Sequence, residues 1–225
     1  AAAEEHGLSS KDCYPDAGAM LEQTRPKCVI VATTAQAHCE YVCMAAEAGV
    51  CYILCEKPMA VSLAECDRMI EVCRDQGVNL AVNHPRRFME QLTGPLGIIE
   101  SPSFGGLSSM TVIGGNLGMA MNGTHYFEMF SYITGEVPDH VTAWFYGSNV
   151  PNPRGPQFDD PAGAIRLSTA TGKRMYMDIG ADQGHGVRVV YAGPYGQIDV
   201  DELSGTMRVT IRKEEARGLP STRYD

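Results

Sequence analysis

Clusters of basic side chains, long apolar runs and paired-cysteine motifs are all missing from this sequence. Its 18 Lys and Arg residues face 27 Asp and Glu residues, which gives a formal net charge of −9. Without a Lys/Arg patch, a chain of this sign is poorly suited to nucleic acid or an anionic membrane surface. No apolar run approaches the roughly 20 residues of a membrane-spanning helix, and the N-terminal AAAEEHGLSSKDC lacks the basic and apolar segments of a secretory signal. We therefore expect a cytoplasmic protein with neither a membrane nor a nucleic-acid partner.

The 8 cysteines all fall in the first third of the chain, and no two of them form a C-x-x-C pair. This spacing fits neither a zinc site nor a thioredoxin-type motif. Free cysteine behaves as a small apolar residue and is among the most often buried. We therefore expect no metal site and reduced thiols that lie mostly in the core. The cysteines are Cys13, Cys28, Cys39, Cys43, Cys51, Cys55, Cys66 and Cys73.

Helices and short apolar strands alternate from Ala1 to about Ala81. The segments KCVIVATT, CYILCEKP and VNLAVNH predict strands, and AGAMLEQTRP, AHCEYVCMAAEAGV and SLAECDRMIEVCRDQG predict helices. In the last of these helices Ser62 is the expected N-cap, Glu65 follows three residues later, and Gly77 comes just after the end. This alternation predicts an α/β fold with a partial Rossmann-type parallel sheet that is covered on both faces.

The pattern changes after Arg87. One helix is predicted in NGTHYFEMFSYITGEVP, with Gly135 at its end, and a long loop is predicted over residues 146–163. Runs of alternating β-branched and aromatic residues, separated by Gly-containing turns, predict antiparallel hairpins. The second part is therefore expected to be an α+β domain with an open, mainly antiparallel sheet. The runs are HVTAWFYG, AGAIRLSTATGKRMYMDIGA, GVRVVYAGPYGQIDVDE and GTMRVTIRKE.

Four segments in this order carry a resemblance to a known family: KCVIVATTAQAH, CEKPMAVSLAECDRMIEVC, VNHPRRF and GGNLGMAMNGTHYFEMFSYITG. Together they resemble the glucose–fructose oxidoreductase/inositol dehydrogenase (Gfo/Idh/MocA) family of NAD(P)-dependent oxidoreductases. EKP alone is a weak signal, but EKP between an A-T-x-x-x-x-H strand end and a G-T-H helix start is specific. The resemblance implies a truncated dinucleotide-binding domain over residues 1–88, a substrate and dimerisation domain over residues 89–225, and NAD or NADP as cofactor.

The chain departs from the family pattern in two places. The family opens with a G-x-G-x-x-G loop, in which glycines let the backbone approach the cofactor pyrophosphate, and no such loop occurs in this sequence. We therefore expect either an interior piece of a longer enzyme or a degenerate relative. The family also places an aspartate four residues before the histidine of the second domain's long helix, where this chain has Met121.

Hydride transfer from an alcohol carbon requires a base for the hydroxyl proton and positive charge to stabilise the developing alkoxide. By resemblance, Lys57 and His125 supply these functions. A cis bond between Lys57 and Pro58 would direct the lysine side chain inward. The structural alternatives are that Lys57 is a solvated charge at a strand end and that His125 is an ordinary residue of a helix start.

The resemblance also implies further site residues. The alternative for His38 is an ordinary helix residue that binds no ligand. Thr34 stands where the family often has proline. Arg86 or Arg87 could bind substrate or could instead pair with Glu90. The residues expected to bind cofactor are Thr33, Thr34, Ala35, His38, Glu56 and Lys57, and those expected to bind substrate are Arg87, Asn122 and His125.

The resemblance therefore predicts hydride transfer to or from a sugar, cyclitol or related polyhydroxylated substrate. The alternative is an inactive fragment or pseudoenzyme that keeps only the fold and a binding or dimerisation role. The open sheet, with Trp144, Phe145, Val189 and Tyr191 near its surface, predicts a homo-oligomer formed through the C-terminal domain.

Overall fold

A computed structural model of the protein describes residues 2–115, 118–151, 155–156, 158, 160–184 and 186–219. Tertiary contacts divide the chain into two compact units, Ala1–His84 and Pro85–Asp225. The predicted boundary after residue 88 lies at the end of the short 3-10 helix Pro85–Phe88, which belongs to the second unit. Within the described ranges, no helix is long and apolar enough to cross a membrane.

The first unit contains a three-stranded parallel sheet in the order β1-β2-β3. The three strands and the three helices predicted from the sequence are all present, which confirms the Rossmann-type pattern. The strands are β1 Cys28–Val31, β2 Tyr52–Glu56 and β3 Asn79–Asn83. The helices are α1 Ala2–Glu5, α2 Ala17–Thr24, α3 Ala35–Glu47 and α4 Leu63–Asp75, with a 3-10 helix at Ser10–Asp12.

Helix α4 begins and ends at the predicted residues. The Ser62 hydroxyl accepts a hydrogen bond from the Glu65 N–H at 3.2 Å, and the Glu65 carboxylate accepts one from the Val61 N–H at 3.1 Å. The Ser62 hydroxyl therefore satisfies one of the helix's first free N–H groups, and the Glu65 carboxylate binds the residue just before the cap. Gly77, with φ +69°, carries the chain out in the left-handed conformation that glycine adopts at low cost.

Only one face of the parallel sheet is well covered, which corrects the prediction of two covered faces. Ile53 and Cys55 of β2 are buried in the core beneath α3 and α4. On the opposite face Ile30 is 65% exposed and Tyr52 57% exposed. The prediction was wrong because the strands carry apolar side chains on both faces, but whether a face is covered depends on which elements pack against it.

The second unit contains a seven-stranded sheet in the order β10-β9-β8-β4-β7-β6-β5. Every neighbouring pair is antiparallel except β4 with β7, so the predicted open and mainly antiparallel sheet is confirmed. The strands are β4 Ser109–Gly115, β5 His140–Asn149, β6 Pro161–Ser168, β7 Arg174–Gly180, β8 Gly186–Ala192, β9 Gly196–Asp201 and β10 Thr206–Ile211.

The core of this unit lies between one face of the sheet and two helices. Phe104, Tyr126 and Phe130 are fully buried there against strand residues such as Met177. The helices are α5 Glu90–Ile99 and α6 Thr124–Thr134. Besides Pro85–Phe88, the unit has a π-helical turn at Met119–Gly123 and a 3-10 helix at Glu214–Ala216.

The structure contains two elements that the sequence pattern did not predict. Strand β4 occupies the middle of the sheet, between β8 and β7. It was not predicted because the two glycines at its end interrupt the alternation of apolar and polar residues that marks a strand. Helix α5 contains Pro95, which normally breaks a helix. The loop predicted over residues 146–163 is shorter than expected because β5 runs to Asn149 and β6 begins at Pro161, while residues 152–154, 157 and 159 lie outside the described ranges.

Two further predictions from the sequence need correction. Val189 and Tyr191 are each 1% exposed and belong to the core rather than to an open face, whereas Trp144 and Phe145 are indeed exposed. All eight cysteines are free, but only four of them are buried. The reason is that strand and helix ends expose residues that the apolar pattern counts as core. The buried cysteines are Cys39, Cys43, Cys55 and Cys73.

Candidate active site

The carboxyl ends of β1, β2 and β3 lie at one edge of the parallel sheet, because all three strands run in the same direction. Lys57 directly follows β2 at this edge, and the Lys57–Pro58 peptide bond is cis, as the sequence allowed. Thr33 and Thr34 follow β1 and are exposed. We call residues 33–38 and 56–58 the Lys57 corner. It contains every residue that was predicted to bind the cofactor.

Glu56, the last residue of β2, is held by the neighbouring strand. The Asn83 side-chain amide donates a hydrogen bond of 2.7 Å to Glu56 Oε1. This bond joins the ends of β2 and β3 and fixes the direction of the carboxylate beside Lys57. The sequence pattern gave Asn83 no role, although its place at the end of the third strand was visible.

His38 binds the backbone on both sides of the Lys57 corner. Its ring is 1% exposed, with Nδ1 2.8 Å from the Pro58 carbonyl oxygen and Nε2 3.2 Å from the Thr33 carbonyl oxygen. A neutral imidazole has one N–H and donates to one of these carbonyls at a time. His38 therefore connects the first turn of α3 with the segments that follow β1 and β2.

Cys55 lies in β2 immediately before the corner and is fully buried. Burial, together with the neighbouring Glu56 and Cys66, raises the pKa of its thiol to about 11. The thiol is therefore protonated at neutral pH and is a poor nucleophile. The chemistry available at this corner is that of an amine, a carboxylate and hydroxyl groups.

The second predicted acid/base, His125, lies in the first turn of α6 and is 9% exposed. The helix does not start directly from a loop, because the π-helical turn Met119–Gly123 comes immediately before it. Asn122, a predicted substrate ligand, lies in this turn, and its N–H donates to the Gly118 carbonyl at 3.1 Å. The structure therefore brings Asn122 and His125 together on adjacent turns.

Arg87, the third predicted substrate ligand, forms an ion pair with Glu128 of α6 and lies over the Tyr132 ring, 4.7 Å from its centroid. Glu128 is three residues after His125, so the two side chains lie on one side of the helix. The predicted alternative partner, Glu90, is not the one that Arg87 contacts. The sequence pattern missed Glu128, although its i, i+3 spacing from His125 was available as a signal.

Arg86 belongs to a separate polar cluster. Its Nη1 lies 2.9 Å from both carboxylate oxygens of Glu202, and the Tyr126 hydroxyl donates to Glu202 Oε2 at 2.8 Å. The guanidinium also lies 4.6 Å from the centroid of the Tyr126 ring. The cluster borders a cavity of about 220 Å³ lined also by Met89, Gln91, Leu92 and Met129.

In the described parts of the chain, no group of three or more His, Cys, Asp or Glu side chains is arranged to hold a metal ion. The roles of the predicted cofactor and substrate ligands stay predictions, since no bound molecule tests them. What the structure adds is the set of partners that hold these residues in place.

Comparison with known proteins identifies the family. Residues 1–84, the whole first unit, match the Gfo/Idh/MocA model, described as an oxidoreductase family with an NAD-binding Rossmann fold. D-apiose dehydrogenase of Paraburkholderia graminis is 34% identical over 140 residues, which cover 55% of this chain and 37% of that protein. Myo-inositol 2-dehydrogenase of Thermotoga maritima is 25% identical over 228 residues, which cover 94% and 67%.

The fold extends beyond the part that the family model covers. The WlbA dehydrogenase of Bordetella pertussis, solved with NADH and UDP-GlcNAcA, superposes with a TM-score of 0.78 over 94% of this chain and 66% of that one, at 18% identity. At that identity the likeness shows the fold alone, and the chain spans between about a third and two thirds of the curated relatives above. Together these matches confirm the resemblance found in the sequence: the first unit, residues 1–84, matches the Gfo/Idh/MocA oxidoreductase family.

Proposed function

We propose that this chain acts as an NAD(P)-dependent oxidoreductase that transfers hydride between a nicotinamide cofactor and a carbon of a sugar, cyclitol or related polyhydroxylated compound. The observation that carries the proposal is the Lys57 corner. A lysine follows the strand end of a Rossmann-type unit that matches an NAD-binding family model over its whole length. The flanking Glu56 accepts a hydrogen bond from Asn83, and the carbonyl oxygen of the flanking Pro58 lies 2.8 Å from a ring nitrogen of His38.

The side chains at this sheet edge suit a dinucleotide. In parallel α/β sheets ligands bind outside the carboxyl ends of the strands, where Thr33 and Thr34 offer exposed hydroxyls and Glu56 a carboxylate for ribose hydroxyls. Bound nicotinamide would accept or return the hydride. In this proposal Thr33, Thr34, Ala35 and Glu56 line the cofactor, while His38 acts indirectly by holding Thr33 and Pro58.

Lys57 and His125 are the groups proposed to stabilise the charge on the substrate oxygen and to transfer its proton. The Lys57 ammonium stabilises the negative charge that develops on the substrate oxygen as its proton is removed, which assists the departure of hydride from the adjacent carbon, and it can exchange a proton if desolvated. His125 offers an imidazole, the side chain that most often serves as a general acid/base near neutral pH. In oxidation the hydroxyl proton passes to the base while the carbon loses hydride, and reduction reverses both transfers.

The substrate class rests on the relatives and on the polar groups of the second unit. The relatives' names concern D-apiose and myo-inositol, and a levoglucosan dehydrogenase also shares the fold. Asn122 offers an amide and Arg87 a guanidinium for hydroxyl groups, with Arg87 38% exposed beside its partner Glu128. These groups fit neutral, hydroxyl-rich molecules better than apolar ones.

Cofactor binding is the first test. NADH and NADPH are titrated against the purified chain while nicotinamide fluorescence is recorded, with Glu56→Gln as the site variant and the exposed Glu22→Gln as its control. We expect a saturable change for the wild type and the control, and weaker binding for Glu56→Gln. No response up to millimolar cofactor would contradict the proposal and support the alternative of a non-catalytic relative.

Turnover is the second test. A panel of aldoses and inositols is assayed with NAD⁺ and NADP⁺, comparing Lys57→Met and His125→Gln with the exposed controls Lys27→Met and His140→Gln. General acid/base groups contribute about 10²- to 10⁴-fold, so we expect losses of that order for the two site variants only. Equal losses in the controls, or none in the site variants, would show that Lys57 and His125 do not carry the reaction.

We also propose that the chain forms a homo-oligomer through the sheet of the second unit. Trp144 is 59% exposed and Phe145 64% exposed on β5, the edge strand, and large exposed apolar side chains often mark an interface. Light scattering of the wild type and of Trp144→Lys tests this proposal. A dimer or larger species that the substitution dissociates would support it, and a wild-type monomer would overturn it.

A further inference from the structure

Asp160, immediately before β6, is a buried carboxylate bound by backbone amides of the turn that leads into α6. It is 2% exposed. One oxygen accepts a hydrogen bond from the Ala120 N–H at 2.8 Å, and the Met121 N–H lies 3.2 and 3.4 Å from the two oxygens. A buried carboxylate is costly unless it is hydrogen-bonded, so these contacts are what make its position tolerable.

The turn is shaped to receive this carboxylate. A Cβ atom on Gly118 would lie 1.7 Å from Asp160 Cγ, so no side chain fits at that residue while Asp160 is in place. The Gly118 carbonyl in turn accepts hydrogen bonds from the N–H groups of Asn122 and Gly123, at 3.1 and 3.2 Å. Gly118 therefore both admits the carboxylate and closes the π-helical turn.

The turn fixes where α6 begins and therefore where His125 lies. Met121 precedes His125 by four residues, a rise of about 6 Å along a helix. The amide groups of a helix N-terminus carry partial positive charge, which favours a carboxylate there and disfavours a protonated imidazole in the first turn. A negative charge at this end offsets that effect on His125.

We propose that Asp160 is a positioning residue for the candidate acid/base His125, acting through the turn Met119–Gly123. It fixes the start of α6 by binding two backbone amides and places a negative charge at the end of the helix that carries the imidazole. This inference rests on the proposed function for the role of His125. The placement of Asp160 itself can be tested without turnover.

Among the described residues, two arginines beside α6 are paired with carboxylates. Arg86 and Arg87 lie on the 3-10 helix Pro85–Phe88. Arg87 pairs with Glu128 of α6, and Arg86 pairs with Glu202. Each of these pairs is close to neutral as a unit. Asp160 is the carboxylate that binds the backbone at the start of the helix.

The test compares Asp160→Asn with Asp16→Asn. Asn keeps the size and one acceptor of Asp but loses the charge, and Asp16 is a matched control because its carboxylate caps α2 through the Ala19 N–H at 2.7 Å. Because misplacement of a reacting group by about 1 Å can cost 10²-fold, we expect kcat to fall about 10- to 100-fold in Asp160→Asn and not in Asp16→Asn. Affinity for NADH should be unchanged in both.

A second readout does not depend on activity. NMR titration of the histidine side chains should show the His125 midpoint moving to lower pH in Asp160→Asn, because a charge that favours the imidazolium is lost. The His140 midpoint should stay in place, and circular dichroism should confirm that both variants fold. A second-site carboxylate, Met121→Asp, should restore part of the lost kcat in the Asp160→Asn background, since residue 121 contacts Asp160.

The outcomes separate this inference from the proposed function. If the wild type turns over no substrate but its His125 midpoint shifts in Asp160→Asn, the proposed function fails while the placement of Asp160 stands. If turnover is normal, with an unshifted His125 midpoint and an unchanged kcat in Asp160→Asn, the inference is wrong and the proposed function remains. An equal loss of kcat in Asp16→Asn would show that Asp160 has only a general structural role, and this result would also overturn the inference.

Discussion

Replacing Arg86 by methionine tests the polar cluster of the second unit. Burial alone would lower the pKa of Arg86, but the Tyr126 hydroxyl and the Glu202 carboxylate outweigh burial and raise it, so the guanidinium stays charged. Its side chain is 23% exposed and that of Glu202 20% exposed. The methionine in Arg86→Met retains an aliphatic side chain but cannot bind Glu202. Of the hydrogen bonds to the Glu202 carboxylate described above, only the one from the Tyr126 hydroxyl remains.

The expected loss of stability follows from this geometry. Removing one partner of a buried pair costs about 3–5 kcal/mol, and the partial exposure of both groups places this case at about 3 kcal/mol. For a chain of this size that loss corresponds to a fall in Tm of roughly 6–12 °C. In Arg86→Met the Glu202 carboxylate carries an uncompensated charge. Lowering the pH should protonate it and so recover part of the lost free energy of unfolding.

The assay is thermal and urea unfolding followed by circular dichroism, with Arg188→Met as the control. Arg188 is 53% exposed and pairs with Asp199 and Asp201 in the same unit. An exposed pair of this kind contributes about 0–1 kcal/mol. A loss in Arg86→Met no larger than in Arg188→Met would refute the view that Glu202 depends on Arg86.

Three further predictions concern single groups. Ser62→Ala removes the N-cap of α4 and should cost about 1 kcal/mol in urea unfolding, whereas the exposed Ser204→Ala outside any helix should cost less. At pH 8 the thiols of Cys43 and Cys55, whose pKa burial raises to about 11, should react with a thiol reagent far more slowly than exposed thiols such as Cys13, and equal rates would contradict their burial. Hydrogen bonds from Lys173 and nearby threonines lower the pKa of Glu136 to about 2, so its stabilising contribution is complete above the ordinary value of 4.5 and is lost as pH falls toward 2. Lys173→Met should therefore move the Glu136 midpoint upward in an NMR titration, and an unmoved midpoint would show that the pairing is absent in solution.

The helices and strands of the first unit follow from local signals. Ser62, Glu65 and Gly77 specify the ends of α4, and apolar runs of strand length specify β1 to β3. The same signals did not reveal which face of the sheet is covered, because a continuous apolar run does not distinguish one buried face from two. Ile30 and Tyr52 show the difference.

The second unit was harder to predict because its central strand comes from a distant part of the chain. Strand β4 precedes α6 in sequence but inserts between β8 and β7, and it runs parallel to β7. No local pattern encodes that pairing. The hairpins β6–β7, β8–β9 and β9–β10 were predictable because each is closed by a short turn with its own sequence signal.

The residues of the candidate site also divide into those that local motifs predict and those that only the folded chain brings together. Lys57 and His125 were predicted as site residues because they stand in motifs that resemble a family, and their neighbours in sequence were predicted with them. Asn83, Glu128 and Asp160 contact the candidate site residues or the turn before them, and they were missed because each makes its contact across a distance in the chain. Asp160 binds the turn before His125 from 39 and 40 residues away, a relation that only the folded chain shows.

The proposed hydride transfer can be followed through the fate of a labelled hydrogen. Carbon-deuterated aldoses and myo-inositol are incubated with the chain and NAD⁺ or NADP⁺, and the nicotinamide product is examined by mass spectrometry and NMR. We expect deuterium on the nicotinamide ring with wild-type protein and Lys27→Met, and about 100-fold less with Lys57→Met. Cofactor that binds but never acquires deuterium from any of these substrates would contradict it.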